Sequence, residues 1–89
     1  MRLLFPADPA RPGRIDPEWA EESEAAASDG IASGVVDLVA LERGDGAGAV
    51  KRVRAGNGEH AEWRGPILNV EARNALASAL AERGLLLVP

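Results

Sequence analysis

Apolar residues along this chain fall into short continuous runs separated by two stretches with helical spacing. The first run, Leu3-Leu4-Phe5, flanked by Arg2 and Pro6, predicts a buried strand over 2–6. "PADPARPGR" (6–14) follows. Pro6, Pro9, Pro12 and Gly13 exclude a helix there and disfavour a sheet centre, so the stretch reads as a loop. A helix is predicted over 17–29. Asp16 suits its N-cap, Pro17 its first position, and Glu18, Glu21 and Glu22 its positive dipole end. Trp19, Ser23, Ala26 and Ala27 share one face and Gly30 supplies a stop. Apart from Trp19 that face is small, so the helix should lie close on a sheet.

Val35, Val36 and Leu38 predict a strand over 34–38, although "DLVALERG" is also compatible with a helical turn. "GDGAG" (44–48) reads as a flexible loop, too irregular for a phosphate-binding fingerprint. Val50-Lys51-Arg52-Val53-Arg54 predicts a strand over 50–54 with one wet face. Asn57-Gly58 signals a hairpin turn, and 60–64 becomes the returning strand. The clearest element is a helix over 70–83. Asn69 caps it, Ala72, Ala75, Leu76, Ala79 and Leu80 form an apolar stripe, and Gly84 is a natural left-handed stop. A last strand is expected over 85–88.

Strands alternating with helices specify an α/β fold. We expect a small, open, mainly parallel sheet of about five strands with two helices, Rossmann-like, in two or three layers. Residues 1–89 read as one domain, since nothing in them looks like a repeat or a linker. In such sheets ligands bind beyond the carboxyl ends of the strands. The exits of the first and fourth strands, Asp8 and Arg64-Gly65, lie there.

Composition narrows the chemistry. The chain has no cysteine and one histidine, His60, so disulfide frameworks, thiolate nucleophiles and His-rich metal sites are excluded. The net charge of −4 argues against general nucleic-acid binding. Charge is uneven: residues 1–48 hold four arginines against ten acids, and residues 49–89 hold six bases against four acids. No secretory leader is visible, and the apolar run at 85–88 is too short to span a bilayer. The expectation is a soluble, cytoplasmic protein with no membrane or nucleic-acid partner.

"AEWRGPIL" (61–68) carries the most suggestive chemistry. A guanidinium at a strand exit can grip a carboxylate or phosphate with two parallel hydrogen bonds. Equally, Arg64 can satisfy loop carbonyls or pair with Asp8. Asp8 can position a substrate amine, or simply form the Asp-Pro turn that follows. Glu18, Glu21, Glu22 and Glu24 fit a solvated helix face. Lys51, Arg52 and Arg54 fit the wet side of a strand. His60 lacks an evident partner, and Trp19 and Trp63 fit packing.

Beyond these local readings, "RLLFPADP", "DPEWAEESEAAASDG", "VDLVALERGD", "EWRGPIL" and "NALASALAERGLLLVP" together resemble the N-terminal, pre-ATP-grasp domain of ATP-grasp proteins. The likeness is nearest to the small bacterial and phage-associated members of the R2K clade, and it covers nearly the whole chain. It implies a lobe on the substrate side of a carboxylate–amine ligase, with Asp8, Arg64 and Gly65 as substrate-binding residues. The ATP-binding lobes, which supply the phosphate-gripping lysine and the magnesium ligands, would lie elsewhere. On that basis the chain carries no catalytic residue, metal site or cofactor of its own and no activity alone. Its expected partner is a set of ATP-grasp catalytic lobes. The alternative is a stand-alone assembly module, a homodimer using the same fold as an interaction surface.

Overall fold

The computed structural model describes residues 1–89 as a five-stranded, mostly parallel sheet with four α-helices. Strand β1 (Arg2–Asp8) lies at the centre, buried along most of its length as its unbroken apolar run requires. It pairs in parallel with β3 (Ala32–Val36) on one side and with β4 (Glu59–Trp63) on the other. Strand β5 (Leu85–Leu87) adds in parallel to β4. Pro6 is tolerated in this central strand for a geometric reason. The Leu4 carbonyl accepts from the Arg64 N–H at 2.8 Å, so the nitrogen two residues on faces the same edge. There β4 has already ended, and the chain at Asp16 takes up that edge, its N–H donating to the Pro6 carbonyl at 2.9 Å.

The stretch expected to be a loop holds a strand instead. Strand β2 (Arg11–Ile15) turns back antiparallel on the end of β1, pairing Ala7 with Ile15 and Asp8 with Arg11 across a register shift. The Asp8 side chain makes the turn by accepting from the Ala10 N–H at 2.9 Å. Pro12 and Gly13 are acceptable because β2 is short and solvent-facing.

Asp16 then caps a single 3₁₀ turn (Pro17–Trp19), its carboxylate accepting from the Glu18 N–H at 2.9 Å. This turn leads into α1 (Ala20–Ser28), which stops where Gly30 takes φ +75°. Only Ala26 of α1 is buried, and the helix packs on β3.

Residues 37–54 correct the sequence reading most. The second expected strand is displaced to 32–36, because Asp37 caps a helix by accepting from the Ala40 N–H at 3.2 Å. Helix α2 (Leu38–Glu42) follows. "GDGAG" is ordered as helix α3 (Gly46–Ala49), capped by Asp45 on the Gly48 N–H at 2.9 Å. The strand expected at 50–54 does not form. Val50 and Val53 are three residues apart and both fully buried, a spacing that one face of a turn satisfies and an extended strand does not. The Val53 N–H donates to the Val50 carbonyl at 2.9 Å, closing that turn. The Asn57-Gly58 turn therefore joins no hairpin. It docks on the end of the last helix, where the Gly58 N–H donates to the Gly84 carbonyl at 2.7 Å.

Helix α4 (Val70–Glu82) forms as expected, with Asn69 accepting from the Ala72 N–H at 2.8 Å. Its buried stripe of Ala72, Leu76, Ala79 and Leu80 meets Leu4, Val36, Ala61 and Leu85 of the sheet, together with Val50 and Val53, in one core cluster of 13 residues. Each fully buried Leu there contributes roughly 1.5–3 kcal/mol. Phe5 and Ala26 are buried outside this cluster, on the opposite face under α1. The helices thus flank the sheet unequally. On the α1 side, the outer half of the sheet carries the neighbouring pairs Leu3–Glu62 and His60–Leu86, and Leu86 is half exposed. No helix of the chain is long and apolar enough to cross a membrane.

Candidate binding groove at the carboxyl end of the sheet

Strand β1 sends its chain to β3 on one side and lies beside β4 on the other, so the connections diverge at its carboxyl end. An open α/β sheet forms a crevice at such a point. Two adjoining clefts lie here and share Leu38, Glu42 and Pro66. The larger, about 740 Å³, runs between α2 and the first turns of α4, with residues 66–68 along one side. The smaller, about 220 Å³, lies between the exit of β1, the capped turn at Asp16 and the start of α2.

The larger cleft is half apolar, through Leu38, Leu41, Ile67, Leu68, Ala72 and Ala75. Its surroundings are apolar as well. Ile67 is fully exposed, Val70 is 75% exposed and Val39 52%. The smaller cleft carries Asp16, Glu18, Asp37 and Glu42. Asp16 and Asp37 each commit one oxygen to a helix cap. No three acidic or histidine side chains gather in a way that holds a metal ion.

The residues singled out in the sequence stand beside the groove. Asp8 and Arg64 form no ion pair with each other. The Asp8 carboxylate serves the Ala10 N–H, while Arg64 reaches α1, its Nε donating to Glu22 Oε1 at 2.6 Å. Its terminal nitrogens pair with Glu22 again and with Glu62 at 3.8 Å. The guanidinium remains partly open, with 43% of the side chain exposed.

Gly65 has a packing reason to be glycine. A Cβ at this position would stand 2.3 Å from Cζ2 of Trp63. The indole folds across it and donates from Nε1 to the Pro66 carbonyl at 2.7 Å. "WRGP" is therefore a built turn. It throws Ile67 and Leu68 over the groove while sending Arg64 to the other face of the sheet.

Sequence reasoning missed Leu38, Leu41, Glu42, Ile67 and Glu71 as groove residues. One signal was present. Asn69 as a cap leaves Ile67 and Leu68 in a loop, where Leu68 packs against the core but Ile67 is left fully exposed. Comparison with protein-family models, with curated proteins and with solved structures returns no match.

Proposed function

We propose that this chain is a non-catalytic docking lobe, the substrate-side lobe of an ATP-grasp carboxylate–amine ligase whose ATP-binding lobes lie elsewhere. The observation that carries this reading is the apolar-rimmed groove at the carboxyl end of the sheet. Exposed Val39, Ile67 and Val70 around an open cleft favour covering by another folded surface. The surrounding chemistry supports binding rather than turnover. His60 stands on the sheet face with no partner. The glycine-rich stretch 44–48 leads into α3, but the Asp45 carboxylate already caps that helix start, accepting from the Gly48 N–H, and would repel a phosphate. Arg64 at the β4 exit offers a partly open guanidinium to a substrate carboxylate, and Asp8 and Gly65 shape the two strand exits beside it.

The test is reconstitution. The gene or its neighbours should encode ATP-binding lobes, and joining those lobes to this chain should give ADP release that neither part gives alone. A neighbourhood without such lobes, or no gain in turnover, overturns the reading.

A homo-oligomeric assembly module is the second reading. The uncovered sheet face at Leu86 favours it. Under that reading Leu86→Glu abolishes self-association at about millimolar protein concentration, whereas Ile67→Asp leaves it intact.

A further inference from the structure

We infer that the carboxyl-end groove receives a basic amphipathic helix from another protein, with leucine-class side chains facing down and lysines or arginines along the flanks. This rests on the docking-lobe reading and adds the partner's chemistry. Shape is the first argument. Helix α2 and the start of α4 form two walls, and Ala72 and Ala75 contribute only methyl groups to the lining. A helix backbone can approach closely there, and helix-in-groove recognition is built on that geometry. The second argument is the unpartnered apolar rim of Val39, Ile67 and Val70.

Charge is the third. The two joined clefts are lined by Asp16, Glu18, Asp37, Glu42 and Glu71 against a single base, Arg43. Arg64 lines neither cleft and so adds no charge to this rim. An acidic rim over an apolar floor attracts a cationic amphipathic segment and repels acidic helices and anionic surfaces.

A second copy of the chain fits poorly. Its basic cluster of Lys51, Arg52 and Arg54 encloses only Val53, which is fully buried, so the cluster offers charge without an apolar anchor. The Arg54 carbonyl also accepts from Arg2, which fixes the end of that cluster at the amino edge of the sheet, away from the groove. A copy docked this way would join unlike surfaces. Each added copy would leave another groove open, and no closed pair would form.

The experiment titrates the isotopically labelled full chain with two synthetic helical peptides that share one leucine pattern, one lysine-flanked and one glutamate-flanked. The lysine peptide should shift backbone amides in 38–43 and 66–75, and should bind about tenfold or more tighter than the glutamate peptide. Ile67→Asp should weaken it. Glu42→Lys with Glu71→Lys should invert the preference, and Lys51→Glu with Arg52→Glu should leave it unchanged. If the double lysine variant does not fold, Glu42→Gln with Glu71→Gln should erase the preference.

Equal or tighter binding of the glutamate peptide overturns the inference. So do shifts confined to other residues, or the absence of binding by either peptide. Concentration-dependent shifts of the same amides without peptide would put a second copy in the groove and overturn it too. Reconstituted ADP release with no lysine-peptide binding removes the partner chemistry and leaves the lobe. Peptide binding without reconstitution does the opposite.

Discussion

Arg2 and Glu59 close the amino end of the sheet, with Nη2 of the arginine 2.6 Å from Oε1 of the glutamate and the Arg2 side chain only 4% exposed. The guanidinium also donates from Nη1 to the Arg54 carbonyl, while its Nε has no partner. The two halves of this pair are not equivalent. Removing the glutamate strands a buried cation, whereas replacing the arginine with an apolar side chain of similar length removes the charge that needed satisfying.

Glu59→Ala should therefore cost about 1–3 kcal/mol, and Arg2→Met distinctly less. Urea unfolding of the two variants measures the difference. Equal losses would show that the pair acts through packing alone.

Gly65→Ala should be costly for a single methyl. The new Cβ would overlap the Trp63 ring, and the indole would have to leave its bond to the Pro66 carbonyl. Overpacking of this kind costs about 1–3 kcal/mol. Trp63 emission should move to the red as the ring is displaced. Unchanged emission and stability would mean that the turn has another way to close.

Arg64→Ala tests a different property. Its ion pairs with Glu22 and Glu62 are partly exposed, so the fold should lose under about 1 kcal/mol, and less in high salt. If Arg64 also grips a substrate carboxylate in the ligase assembly, the same change should weaken that binding by roughly 1.5–3 kcal/mol. Calorimetry on the joined lobes separates the two effects.

Mg-ATP added to the isolated chain should give no saturable heat at micromolar protein. Stoichiometric binding would reveal a nucleotide site within these residues and remove the division of labour proposed for the lobe.

How much was legible in the sequence follows from how local each signal is. Helix α4 could be read directly because its cap, stripe and glycine stop all agree. Strands β1 and β5 could be read from apolar runs bounded by turns, whereas β4 was expected as the return of an Asn57-Gly58 hairpin and forms instead as a parallel strand between β1 and β5. The 37–54 region failed because two aspartate caps compete there with other signals, Asp37 with β-branched residues and Asp45 with a run of glycines. Val50-Lys51-Arg52-Val53 fits both alternation and a turn until burial decides between them. Strand β2 was hidden by Pro12 and Gly13, which only a short, exposed edge position allows. At the site, the sequence pointed to the charged residues of the strand exits. The groove is instead formed by apolar side chains and the acids Glu42 and Glu71, contributed by α2, the 66–68 loop and α4, which only the tertiary fold brings together.

Strand β1 is the first element of the chain and the centre of its sheet, and this shapes how the protein must fold. Arg2 finds Ala32 on one side and Ala61 on the other, so neither parallel pairing can form before a long intervening segment is organised. Closing loops of that length costs entropy before contacts repay it, and non-local pairing of this kind slows folding relative to a helical bundle of equal size. Until residues 59–63 arrive, β1 presents an apolar strand edge to other chains, so newly made protein is most prone to aggregate while its best-buried strand is still half-paired.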